Sequence, residues 1–209
     1  VWIGVIGAGR VGGTLARKFT KAGHRVSIAN SRDPRTLHAL VDELGGHVHP
    51  TTVEQATQTG ELVVLAVPFG AVPRLSTVEL AGKVVLDTTN YLPERDGADP
   101  YLDSGRITSS ELVARLLPGA YVVKVFNTMR WNHLRDYGRQ SSAQLRYGMP
   151  VSADHDAAKR RVLDLVEQVG FEPVDAGGLA AGGRRQQPGG PLYDADLTGR
   201  QLRDVLHAP

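Results

Sequence analysis

Gly7-Ala8-Gly9-Arg10-Val11-Gly12 sets three glycines at the spacing G-x-G-x-x-G. The chemistry that spacing offers is a grip on a diphosphate. Gly7 allows a tight turn, Gly9 lets the backbone approach a phosphate with no side chain in the way, and Gly12 lets the following helix pack close to the preceding strand. Free N–H groups and the partial positive charge of the helix N-terminus then face the anion. The motif alone is weak. Here it follows the apolar run Val1–Ile6 and opens a segment in which Val11, Leu15 and Phe19 recur at helical spacing, the context in which it reads as a dinucleotide site. A glycine-rich turn without a ligand is the bland alternative.

The end of the second strand selects the nucleotide. A site that prefers NAD places Asp or Glu there to accept from the ribose hydroxyls. This chain reads Ala29-Asn30-Ser31-Arg32 instead. A hydroxyl and a guanidinium are suitable donors to a 2′-phosphate, so the expected nucleotide is NADP(H). Arg10 and Arg35 are expected to add charge, and Asp33 to cap the turn that begins at Pro34. Further contacts are expected at later strand ends: Ala66-Val67-Pro68-Phe69, where the nicotinamide half crosses the sheet edge, Asn90 and Asn127. Each asparagine reads equally well as an ordinary turn residue.

Those residues need a scaffold of alternating strands and helices. Strands are expected at Val1–Ile6, Arg25–Ala29, His47–His49, Glu61–Val67, Lys83–Asp87, Tyr121–Phe126 and Phe171–Val174. The unbroken apolar run within 61–67 suits a strand covered on both faces. Helices are expected after Gly9, over Thr36–Leu44, near Val53–Thr57, over Ser110–Leu117 and from about Ala157 to Val169. The alternation predicts a Rossmann-type, doubly wound and mostly parallel α/β sheet with a short C-terminal extension. The whole chain, 1–209, is read as one unit: 1–126 as dinucleotide-binding core, 127–209 as acceptor-pocket and C-terminal portion. Tyr91–Arg106 reads as a long surface loop, Trp131–Arg146 as ambiguous, and the glycine-rich Gly177–Pro191 as a loop or lid.

Composition narrows the classes. Of the 209 residues, 41% are apolar and 22% charged, as in ordinary globular proteins. No cysteine is present, which excludes disulfides, thiolate ligands and a cysteine nucleophile. That absence, with no signal-peptide pattern before the first strand, suits a cytoplasmic protein. Net charge is +2 and basic residues cluster only as pairs, so no nucleic-acid surface is expected; no apolar run has membrane-spanning length.

Together these segments resemble the NADPH-dependent coenzyme F-420 reductases (reduced deazaflavin:NADP oxidoreductases). The resemblance rests on Ile6–Gly12, Asn30–Arg32, Ala66–Phe69, Asp87-Thr88-Thr89-Asn90, Lys124-Val125-Phe126-Asn127-Thr128, and Val174–Gly177 with Leu179. The dinucleotide domain of STEAP-type metalloreductases is similar too. The resemblance implies hydride exchange between NADPH and a 5-deazaflavin. The nicotinamide would lie near Pro68, Phe69 and Asn127, with the Thr128-Met129 turn and the loop around Leu179 walling the pocket. Such chemistry asks the protein to hold two flat rings together, so no general acid or base is assigned. The polar stretch Gly182–Gly189, in the portion expected to meet the acceptor, departs from the pattern.

Two alternatives stay open. One is an NADPH-dependent reductase of a small imine, carbonyl or flavin, with His133, Tyr137 or Tyr193 as proton donor. The other is an NADPH-sensing module without turnover. His47-Val48-His49 lacks a third ligand for zinc, so no metal is expected. The chain is too short for the large helical second domain of β-hydroxyacid dehydrogenases. A homodimer is expected, in which a partner's C-terminal segment closes the nicotinamide pocket over a small-molecule acceptor.

Overall fold

The computed structural model describes residues 1–138 and 146–208. Part of the stretch read as ambiguous, 139–145, therefore lies outside the described residues. Strand β1 (Trp2–Ile6) leads through the glycine turn into helix α1 (Arg10–Lys21), and β2 (Arg25–Ala29) follows. A 3-10 turn (Pro34–Leu37), α2 (His38–Leu44), β3 (Val48–Pro50), α3 (Val53–Thr59) and β4 (Leu62–Leu65) complete the first half. A second 3-10 stretch, Phe69–Leu75, connects to β5 (Val84–Asp87).

The segment read as a long loop after Tyr91 instead holds two one-turn helices, α4 (Pro93–Asp96) and α5 (Pro100–Asp103). Each begins with proline at its first position, where the missing N–H costs nothing, so the prolines start turns there and do not merely break structure. Then come α6 (Ser109–Leu116), β6 (Tyr121–Lys124), α7 (Trp131–Asp136), β7 (Gly148–Ala153), α8 (Asp156–Gln168) and β8 (Glu172–Asp175). Helices α9 (Ala181–Gln186) and α10 (Gly199–His207) end the described chain.

Among the described residues the strands form an eight-stranded sheet in the order β3-β2-β1-β4-β5-β6-β7-β8. Pairings from β3 to β6 are parallel, β7 is antiparallel to β6, and β8 is parallel to β7. Strand order reverses between β1 and β4, and a doubly wound sheet opens its ligand crevice at that switch point. The expected Rossmann-type fold is therefore observed. The two faces carry separate apolar layers, one built on Ile3, Val5, Leu15 and Phe19, the other on Ile6, Val63, Leu65 and Phe69. Burial on both faces explains why β4 reads as continuous Leu-Val-Val-Leu.

Beyond β5 the structure departs from the sequence expectations in four further places. Strand β6 ends at Lys124, two residues early, because Phe126 turns the chain out of the sheet with φ 58°. Strand β7 and helix α10 were not anticipated; Met149-Pro150-Val151 is short and carries a proline, a poor strand signal. Gly177–Pro191 is not simply a loop, since it contains α9. Its glycines serve close packing: a Cβ on Gly182 would lie 2.1 Å from Ser152 Oγ and 2.3 Å from the Ala176 carbonyl.

Candidate functional site: a dinucleotide crevice

The glycine turn shows three different constraints. Gly7 has φ 107°, and a Cβ there would meet the Ala66 carbonyl at 2.2 Å. A Cβ on Gly12 would lie 1.8 Å from the Gly7 carbonyl oxygen. Gly9 differs: nothing lies within 4 Å of its Cβ position. The first and third glycines are thus demanded by the protein's own packing, whereas the second faces open space. Gly9 is also the N-cap of α1, with no side-chain cap and no acidic residue in the first turn. The exposed N–H groups at this helix start are available to an anion.

A groove of about 340 Å³ runs from this turn across the β1–β4 switch point. It brings together Gly7, Ala8 and Gly9, Asn30 and Ser31, and Ala66, Val67 and Pro68. The sequence reading missed Val53, Ala71, Arg74 and Leu75, which line the same groove. Arg74 reaches it from the 3-10 stretch after β4, where no regular period announces which side chain faces a ligand. Phe69 packs inward, buried and edge-on to Tyr91 at 5.4 Å. Val11 is half-buried on the first turn of α1. Arg10 leans over the Trp131 ring at 5.3 Å, tying the glycine turn to α7.

At the end of β2, Asn30 shapes the turn. Its Oδ1 accepts from the Arg32 N–H at 2.8 Å, and its Nδ2 donates to Thr36 Oγ1 at 3.0 Å. Ser31 and Arg32 are exposed. Among the described residues the Arg32 guanidinium has no hydrogen-bond or ion-pair partner. Arg35 is placed differently. Its Nε and Nη2 donate to Asp33 at 3.0 and 2.9 Å, and Asp33 also accepts from the Arg35 N–H as N-cap of the 3-10 turn. Hydrogen bonds from Arg35 hold the Asp33 carboxyl below its ordinary range. The carboxylate next to Arg32 is thus already engaged, as the cap expected of it.

The asparagines sit at the ends of β5 and β6, where two motifs 37 residues apart pair in register. Asp87 lies opposite Lys124. Both are fully buried, with Lys124 Nζ donating to Asp87 Oδ2 at 3.1 Å and to the Thr89 carbonyl. Ser110 Oγ donates to the same Asp87 oxygen at 3.0 Å, and Thr89 donates its N–H and hydroxyl to the other at 2.9 and 2.7 Å. Burial pushes the Lys124 pKa below its ordinary value, while Asp87 opposes that shift. Breaking such a pair by removing one partner leaves an uncompensated buried charge.

Three residues further on, Asn90 Nδ2 donates to the Asn127 carbonyl and Asn127 Nδ2 to Asn90 Oδ1, both at 3.0 Å. Asn127 is buried, and its second amide hydrogen goes to the Gln186 carbonyl at 2.8 Å. A ligand would meet Asn127 through its backbone or Oδ1, and would meet the half-buried Asn90 more directly. These asparagines, with Thr128, Met129 and Arg130, line a second cavity of about 290 Å³ roofed by Tyr193 and Asp194. Arg130 grips Asp194 through two nitrogens, the nearest contact being 2.7 Å. The Asp194 N–H donates to the Thr128 carbonyl at 2.8 Å, so the segment after α9 is fastened over this cavity. His133 Nδ1 lies 2.5 Å from Asp196 Oδ2, and its ring stacks on Tyr137. His47 and His49 lie at the β3 edge, where His49 stacks on Trp2. Among the described residues no cluster of three potential metal ligands occurs.

Open space at Gly9 of the glycine turn, an uncapped helix start beside it and a crevice at the switch point define a dinucleotide-binding protein of the Rossmann class. A sequence model described as NADP oxidoreductase coenzyme F-420-dependent matches residues 2–91. A hypothetical protein from Sinorhizobium meliloti shares 35% identity, with TM-score 0.82 and 95% of each chain covered. An Arthrobacter sp. FB24 protein, named as a candidate F-420-dependent NADP reductase, shares 31% identity with TM-score 0.70, covering 85% of this chain and 84% of that one. The chain belongs to this family of NADP-dependent oxidoreductases. Mouse metalloreductase STEAP2 is 27% identical over 184 residues, which are 87% of this chain and 34% of that protein. The chain thus spans about a third of the length of the curated relatives it matches.

Proposed function

We propose that the protein transfers hydride between NADP(H) and coenzyme F-420 or a similarly flat small-molecule acceptor. The observation that carries the nucleotide choice is the guanidinium of Arg32 beside Ser31, without a partner among the described residues, at a strand end whose nearby Asp33 is held by Arg35. The glycine turn binds the diphosphate, Ser31 and Arg32 hold the 2′-phosphate, and Pro68 directs the chain toward the cavity of Asn90 and Met129. The nicotinamide supplies the hydride when bound. The residues around it orient the rings and exclude water. The family name and the name of the Arthrobacter protein support the deazaflavin as acceptor. The protein acts as a homodimer.

A stopped-flow mixture of protein, NADPH and F-420 tests this reading. Nicotinamide absorbance should fall only when the deazaflavin is present. A second reading, reduction of a small imine, carbonyl or flavin, draws on His133, whose ring stacks on Tyr137 and whose Nδ1 lies 2.5 Å from Asp196 Oδ2, as the candidate proton donor. Oxidation of NADPH with those substrates and not with F-420 would favour it. NADPH binding without turnover on any of them would indicate a sensing role.

A further inference from the structure

The stretch that departs from the family pattern contains a fully buried glutamine, Gln186, which the hydride-transfer reading leaves unused. Its surroundings are set by a defect in the sheet. Strands β6 and β7 pair only at Val123↔Ala153 and Lys124↔Ser152. Past Lys124 the chain leaves the sheet, and the Pro150 carbonyl loses its place in the ladder. An unpaired buried carbonyl is costly, so this fork needs a donor from elsewhere.

Gln186 enters the fork. Its Nε2 donates to the Pro150 carbonyl at 3.0 Å and, at 3.4 Å, to the Lys124 carbonyl and Asn127 Oδ1. Ser152 Oγ donates to Gln186 Oε1 at 2.5 Å. The Gln186 main-chain carbonyl accepts from Asn127 Nδ2 at 2.8 Å. The reach depends on the close approach of α9 at Gly182 described above. Gln186 therefore substitutes for ladder partners between β6 and β7, and it fixes the amide plane of Asn127 from two sides. Asn127 in turn sets Asn90, whose face lines the second cavity.

We propose that Gln186 is a positioning residue for the nicotinamide half of NADP(H), acting through Asn127 and Asn90. The proposal rests on the NADP(H) reading. It distinguishes a role at this end of the crevice from a general contribution to packing, because the adenosine end binds at β2, on the other side of β1.

Calorimetric titration with two ligands tests it: NADPH, and 2′,5′-ADP, the half that lacks nicotinamide. Gln186→Met keeps the length and removes the side-chain hydrogen bonds. It should bind NADPH about tenfold more weakly and 2′,5′-ADP as the wild type does. Unchanged NADPH affinity, or an equal loss for both ligands, overturns the proposal. Ser152→Ala removes one bond and little volume, and covers the case in which Gln186→Met does not fold. There NADPH should weaken about threefold with 2′,5′-ADP unchanged, and no loss for NADPH again overturns the proposal. A wild type that binds 2′,5′-ADP and NADPH equally well contradicts a nicotinamide subsite here. A wild type that binds neither removes the NADP(H) reading itself, and this proposal with it.

Discussion

Two arginines three residues apart have different fates. Arg35 is spent on Asp33, whereas Arg32 has no partner among the described residues and stands beside Ser31. Sequence alone treats both as charge near a 2′-phosphate; geometry separates them. Arg32→Ala should weaken NADPH by ~1.5–3 kcal/mol and leave NADH almost unchanged, since a charge-assisted bond is lost from one ligand only. Titrating both nucleotides against both proteins checks this, and equal losses would refute the selectivity argument. Arg74 illustrates the reverse case. Nothing in its neighbours marks it, and it joins the groove because a 3-10 stretch with Pro73 inside turns it there.

The β1–α1 turn is the element in which packing and binding can be separated by experiment. Gly12→Ala forces a Cβ to 1.8 Å from the Gly7 carbonyl, so helix and strand must part. A loss of about 1–3 kcal/mol in stability is expected, with nucleotide affinity falling too. Gly9→Ala meets nothing within 4 Å, and its φ of −78° suits any residue. It should melt like the wild type yet bind NADPH poorly, because the added methyl would enter the space proposed for the diphosphate. Thermal melts and titrations on the two variants check the contrast; a Gly9→Ala protein with normal affinity would show that the phosphate lies elsewhere. The pairing of β5 with β6 is a second element-scale device. It turns two distant motifs into stacked cross-links, Asp87 with Lys124 and Asn90 with Asn127.

Across the whole molecule, the sheet ends at β8, a strand with one neighbour. Beside it lies a groove of about 510 Å³ bounded by Pro173, Val174, Arg203 and Leu206. An open sheet edge invites a partner, and the proposed homodimer would cover surface of this kind. Light scattering should give twice the 22.5 kDa chain mass at working concentrations. A monomeric mass from protein with full activity would remove the dimer. Among the described residues no helix is long and apolar enough to cross a membrane.

The sequence by itself determined the first half of this protein. The glycine spacing, the apolar runs of β1 and β4, and Asn30-Ser31-Arg32 are local signals, because the turn, the buried strand and the donors at the end of β2 are each built from neighbouring residues. The proline-led turns after Tyr91, the helix α9, the strand β7 and the buried place of Gln186 were decided only by tertiary structure. Gly182 looks like part of a flexible loop until β7 is brought against it, and a glutamine looks exposed until the sheet forks to receive it. Local composition carries conformational preference, but which polar group is buried depends on unpaired backbone elsewhere in the fold, and that is settled only when distant segments meet.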